Sequence, residues 1–146
     1  MFKLYGDKQR CLWCGKSGKD DYKETTMTLK FANPPQETAM VCSSECEKNV
    51  ADACKFIEKG ILFYIVGATV GSLSAMAAVF NPITGKDLMP VTIIGLFILG
   101  FTVIITPFVT PQTIKWLGFK KGMLSGRICG FITVFIAVIL LMKYIY

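Results

Sequence analysis

Histidine occurs nowhere in the 146 residues. Its absence removes the commonest catalytic zinc ligand and the usual general base near neutral pH. Aspartate, glutamate, lysine and arginine are missing from Ile61 to Phe80 and again from Val91 to Val109. Proton relays and ion pathways need such groups facing a cavity, so a self-sufficient pump or transporter is not expected. The hydroxyls of Thr69, Ser72, Ser74, Thr92 and Thr102 are left as the polar groups that could line a path in an oligomer. Met1 to Arg10 carries charges and no apolar core, so a cleavable signal peptide is not expected either. No stripe of interleaved arginine and aromatic residues marks a nucleic-acid face. Nor does any nucleophile with a base, phosphate-binding glycine loop or acid–base carboxylate pair point to an enzyme.

Apolar length is what the chain has in quantity. Hydrophobic residues make up 53% of it, too much for an ordinary soluble domain. They gather in the second half as uncharged runs of 20 residues (Ile61 to Phe80) and 19 residues (Val91 to Val109), followed by Ile128 to Tyr146, broken only by Lys143. As a helix each run is long enough to cross about 30 Å of hydrocarbon. The fold class read from this pattern is a membrane protein with a 1–59 head and a 60–146 domain of three transmembrane helices.

Charge sets the expected orientation. The head holds ten basic and nine acidic side chains, whereas residues 110–127 hold four basic (Lys115, Lys120, Lys121, Arg127) and no acidic ones. Lys55 and Lys59 precede the first run, and of the cations only Lys86 falls between the first and second. The positive-inside bias places the head and the 110–127 loop in the cytoplasm, and the 81–90 loop and C-terminus outside. Lys143 can snorkel to the outer surface. Trp116 and Phe119 among the lysines make the loop amphipathic, suited to anionic headgroups, although the orientation bias alone accounts for the lysines.

The head contains two cysteine pairs. Cys11-Leu12-Trp13-Cys14-Gly15 has the form of a knuckle in which a tight turn aims two thiolates at one ion, with glycine relieving the backbone. Cys42-Ser43-Ser44-Glu45-Cys46 supplies the second pair. A reducing cytoplasm disfavours structural disulfides, so these cysteines read as four metal ligands. Zinc is the expected ion and rubredoxin-like iron the alternative, because tetrahedral sulfur suits both. Lys8, Arg10, Lys16 and Lys19 surround the knuckle, either offsetting thiolate charge or as solvated surface.

Between the pairs, Met27, Leu29 and Phe31 alternate with Thr28 and Lys30, which predicts a strand with one buried face. Asn33-Pro34-Pro35 predicts a turn, and Thr38 to Val41 a returning strand that delivers Cys42. Ser44 with Glu47 reads as a capping box placing Cys46 in the first turn of a helix. That helix has an apolar face at Val50, Cys54, Ile57 and Ile61 and is expected to run on through Gly60 or bend there. Cys54 reads as a small buried hydrophobe or a fifth exchangeable thiol, and Cys129 as a packing residue. Trp13 reads as packed on the head's small core or as an exposed partner anchor.

Cys-x-x-Cys-Gly, a hairpin, and Val41-Cys42-Ser43-Ser44-Glu45-Cys46 entering a helix together resemble treble-clef zinc fingers, most closely the TRASH-like branch with its Cys-Ser-x-x-Cys second pair. The resemblance covers roughly residues 8–58. It implies a hairpin-plus-helix fold around zinc, the four cysteines as ligands, and roles in metal sensing, metal trafficking or protein interaction.

In the apolar half, Gly67, Gly71 and Ala75 recur every four residues beside Ala68 and Ser72, a smooth face for another helix within the bundle or in another subunit. Gly118, Gly122, Gly126 and Gly130 repeat the interval, and the part before Arg127 reads as a flexible loop or interfacial helix. Thr106-Pro107 and Thr110-Pro111 mark a helix end or a re-entrant segment. The function expected from the sequence is a membrane-anchored zinc finger acting as an accessory, assembly or regulatory subunit, bound to lipid and to other membrane subunits. A cytoplasm-facing metal or thiol-redox sensor is the alternative.

Overall fold

A computed structural model describes residues 10–17, 22–28, 36–84, 87–107 and 111–146. Two strands come first, β1 (Lys23–Thr28) and β2 (Gln36–Val41), followed by α1 (Ser44–Ala75), a 3-10 turn (Ala77–Phe80), α2 (Asn81–Thr84), α3 (Met89–Ile105) and α4 (Pro111–Ile145). The chain divides into two compact units, Met1–Gly60 with Phe108–Ser125, and Ile61–Pro107 with Gly126–Tyr146.

In the first unit, β1 and β2 pair antiparallel with Lys23 opposite Val41 and Thr25 opposite Ala39. Side chains alternate across a strand, so Ala39 and Val41 share one face, and both are buried. The first strand begins at Lys23, ahead of the alternation at Met27, Leu29 and Phe31, and includes Met27. Leu29, Phe31 and the Asn33-Pro34-Pro35 turn fall outside the described residues.

The start of α1 corrects the capping-box reading. Ser43, not Ser44, is the cap, because its Oγ accepts the Cys46 N–H at 3.2 Å. Glu47 instead reaches the hairpin, accepting from Lys23 Nζ at 2.9 Å and from the Thr25 hydroxyl at 3.2 Å. Those two bonds, the Lys23 one first, hold its carboxyl below the usual range. Val50, Ala53 and Cys54 bury one helical face, with Ile57 packed beside them. Helix α1 continues through Gly60 without interruption.

The core of this unit includes residues about a hundred positions downstream. Ile114 and Phe119 are buried among Cys11, Leu12, Val41 and Val50, with Met123 packed against them. The segment read as a flexible loop or an interfacial helix is thus helical, and its inner face belongs to the head.

In the second unit the face of Gly67, Gly71 and Ala75 is filled by α3, the packing within the bundle that is one of the two readings of this face. A methyl group on Gly71 would lie 2.8 Å from the Leu99 backbone nitrogen, and one on Gly67 would collide with Thr102. Gly95 of α3 packs reciprocally on Ser74 and Ala75. Close approach then recurs between α3 and α4, where Gly130 would place a methyl 3.0 Å from the Gly100 carbonyl oxygen. Helices meet at such small residues because their backbones can come within van der Waals reach. Replacing Gly71 with leucine should separate α1 from α3 and remove about 1–3 kcal/mol of stability; thermal unfolding of the purified protein against the wild type would show it.

Of the hydroxyls that could have lined a path, Thr92 and Thr102 make hydrogen bonds inside the unit, as does Thr106. Thr102 donates to the Ile98 carbonyl at 2.7 Å, Thr106 to the Thr102 carbonyl at 2.8 Å, and Thr92 Oγ1 accepts the Ala78 N–H at 2.8 Å. The Thr106-Pro107 pair follows the end of α3 at Ile105. Cys129 is exposed on α4, contrary to its reading as a packing residue. Two helical stretches, Ser44–Phe80 and Trp116–Ile145, are long and apolar enough to cross a membrane, and Met89–Ile105 is a shorter apolar helix of 17 residues. Their outward side chains are large and apolar, among them Leu62, Val66 and Leu73 on α1 and Phe131 and Phe135 on α4.

Candidate metal centre

The knuckle is a hydrogen-bonded turn. The Gly15 N–H donates to the Cys11 carbonyl at 2.8 Å, and the Cys11 N–H to the Lys16 carbonyl at 2.9 Å. Gly15 carries a φ of 70°, a left-handed conformation that side chains resist. A third bond, from the Leu12 N–H to the Met40 carbonyl at 2.9 Å, fastens the turn to β2. Since β2 ends at Val41, the same strand holds the knuckle and delivers Cys42, while Ser43 caps the helix whose first turn carries Cys46.

The result is a cluster of four sulfurs, Cys11, Cys14, Cys42 and Cys46, all within 4.8 Å of one another. Cys14 Sγ lies 3.7 Å from Cys42 Sγ, which lies 3.6 Å from Cys46 Sγ. Disulfide sulfurs would sit about 2.05 Å apart, and all of these cysteines are free. Four metal–sulfur bonds of about 2.3 Å in a tetrahedron have sulfur–sulfur edges of about 3.8 Å. The cluster therefore matches what one tetrahedral ion requires and can hold a metal. Among the described residues no other group of three or more metal-ligating side chains converges.

Electrostatics within the cluster favour a cation. Burial pushes the thiols of Cys14, Cys42 and Cys46 up, and the neighbouring Cys11 sulfur adds to the rise. Cys11 is also raised by burial, but backbone N–H bonds from Cys14 and Cys42, with thiol hydrogen bonds, outweigh it and lower the group to about 7. Sulfurs this close cannot all ionise without positive charge between them. Metal binding consequently releases protons.

Cys54, the fifth cysteine of the head, stays out of the cluster. It is buried on the inner face of α1, where desolvation, then the Glu58 charge, raises its thiol. Trp13, at the knuckle tip, is partly buried against the core rather than projecting. Lys8 and Lys19 lie outside the described residues, while Arg10 and Lys16 are exposed.

What the sequence did not disclose is the support beneath the knuckle. The Phe119 N–H donates to the Leu12 carbonyl at 2.9 Å and the Lys120 N–H to the Trp13 carbonyl at 3.0 Å. These donors are available because Gly118, with φ 77° and ψ 165°, breaks α4 and restarts it; the first amides of a helical segment have no partner within it. The available signal was Gly118 beside Phe119 and four residues after Ile114, in a segment whose charges are all basic. Comparison of the chain with known families, with curated proteins and with solved structures finds no match.

Proposed function

We propose that this protein is a membrane-anchored zinc-binding protein whose four-cysteine head, of treble-clef type, acts as a protein-binding accessory, assembly or regulatory subunit of a membrane complex. The observation carrying the proposal is the convergence of four free thiols in a chain without histidine. Structural zinc uses four protein ligands, whereas catalytic zinc needs an open position and a base nearby. Cys11, Cys14, Cys42 and Cys46 occupy all four positions of the tetrahedron, and the protein is not an enzyme. The ion fixes the knuckle against α1, and the exposed rim of the head is what a partner meets.

Parity supports three membrane crossings. The head touches Phe119 and Lys120 through backbone hydrogen bonds, so residues 10–60 and 111–125 lie on one side of the bilayer. A first crossing after Gly60 then requires a second before residue 111, and α3 is the apolar helix available. Its 17 residues span about 25 Å at 1.5 Å each, close to the lower limit for a bilayer. The spans are about 61–80, 91–109 and 128–146, with the head and 110–127 cytoplasmic and the 81–90 loop and C-terminus outside.

The test is gentle solubilisation followed by metal analysis and mass spectrometry of whatever migrates with the chain. One zinc per chain and a stoichiometric membrane-protein partner are expected; a chain that migrates alone removes the accessory role. One feature favours a sensing role as the second reading: Cys14, Cys42 and Cys46 are only half-buried. Zinc exchange within minutes, or ready thiol oxidation, would select that reading over an inert structural site.

A further inference from the structure

We propose that the cationic, aromatic outer surface of residues 116–124, formed by Trp116 before the Gly118 break in α4 and by Lys120, Lys121 and Leu124 after it, with Arg10 beside them, is a binding surface for anionic phospholipid headgroups. The inference rests on the membrane reading above and adds the class of lipid that the anchor recognises.

Inner and outer faces of this segment differ sharply. Phe119 is 1% exposed and faces the head, whereas Trp116 is 80% exposed and Leu124 59%. Lys120 and Lys121 are exposed with them. A tryptophan this open to water, next to leucine and flanked by lysines, has the amphipathic character that residues at a membrane–water boundary show. The charge has one sign: residues 110–127 include no aspartate or glutamate. A further cation comes from elsewhere in the chain, since the Arg10 guanidinium donates to the Trp116 carbonyl at 3.4 Å.

The backbone geometry makes this a presented surface. Lys120 is held by its own amide on the Trp13 carbonyl, and Phe119 is locked beneath it. The base of the exposed Lys120 side chain is thereby fixed, and little backbone order is lost when a headgroup binds. The apolar stretch that begins at Ile128 follows within two helical turns. That spacing suits a cation layer at headgroup depth ahead of hydrocarbon. An acidic protein partner would satisfy the lysines, but it would not need an exposed tryptophan at the point where the chain turns apolar.

The experiment reconstitutes the full-length protein in vesicles of phosphatidylcholine containing one-fifth phosphatidylglycerol, with bromine on the acyl chains of one lipid or the other. Trp116 quenching is read after subtracting the Trp116→Phe protein, whose remaining fluorescence is that of Trp13. Phosphatidylglycerol should be enriched around Trp116 by about fivefold per engaged lysine, and K120Q/K121Q should abolish the preference while leaving incorporation unchanged. Incorporation with each lipid quenching only in proportion to its abundance, or a preference that survives K120Q/K121Q, overturns this inference alone. Failure of the wild type to incorporate, with no quenching by either lipid, overturns the membrane reading beneath it. Excess inorganic phosphate should not compete, and competition would show a free-anion site instead.

Discussion

Stripping the metal with a chelator, or replacing Cys42 with serine, should unfold the head and release the 111–125 segment with it. The argument is one of scale. Among the described residues, the buried apolar ones of this unit are Cys11, Leu12, Ala39, Val41, Val50, Ala53, Cys54, Ile114 and Phe119, and most of them are small. A unit of this size buries a modest fraction of its surface and is marginal without a staple. Structural zinc in small fingers contributes about 10 kcal/mol or more of apparent binding free energy. Its removal exceeds any stability the core can supply alone. The carbonyls of Leu12 and Trp13 are placed by the knuckle, and the knuckle is closed by Cys11 and Cys14, so the Phe119 and Lys120 amides lose their acceptors when the ion leaves. Hydrogen exchange read by mass spectrometry should show peptides covering 11–17, 38–57 and 114–123 losing protection together, with the α3 peptides unaffected. Protection retained at 114–123 after complete metal removal would contradict the coupling. Acid acts in the same direction: four thiols must shed protons to bind, so the ion should be lost as the pH falls.

The cluster of four sulfurs was legible because its information is local. Two residues between Cys11 and Cys14, and three between Cys42 and Cys46 ahead of a helix, constrain where thiols point regardless of what surrounds them. The cap was misplaced by one residue because Ser43 and Ser44 are equivalent in composition. Only geometry reveals that Glu47 is taken by Lys23 and Thr25. Small-residue faces were legible as places of close approach, but small side chains do not specify what approaches. Gly67 and Gly71 could equally have met another subunit, and α3 fills the space. The extent of the head was hidden for a different reason. Hydropathy periodicity reports which face of a helix is apolar, and four basic residues with exposed Trp116 and Leu117 mask the buried pair Ile114 and Phe119. The joint between the segment and the knuckle is made by backbone amides, which have no side-chain signature except the glycines that let two chains come together.

That joint yields the second large effect: Gly118→Ala should undock 111–125 while the four sulfurs keep their ion at saturating zinc. At φ 77° and ψ 165° the Gly118 backbone lies in a region essentially closed to side chains, worth about 1–3 kcal/mol of strain. An added methyl also lands 2.6 Å from the Gly15 nitrogen and 2.9 Å from the Trp13 carbonyl oxygen. Neither can retreat easily, because Gly15 is itself left-handed and its N–H is bonded to the Cys11 carbonyl. Overpacking against fixed backbone adds about 1–3 kcal/mol. Together these are of the same order as the worth of burying Phe119 and Ile114, about 1.5–3 kcal/mol for each large apolar side chain, so the docked state loses most of its advantage. All four ligands, and the Leu12-to-Met40 bond that seats the knuckle, lie outside the joint and survive its opening. Linkage is nevertheless reciprocal: if the ion favours docking by some factor, docking favours the ion by the same factor. Gly118→Ala should therefore weaken zinc in a competitive chelator titration by the factor with which zinc strengthens docking of the wild-type segment, and Lys121→Ala, on the exposed side, should change neither. Lost protection at 114–123 with unaltered zinc affinity would mean that the knuckle and the segment touch without exchanging free energy.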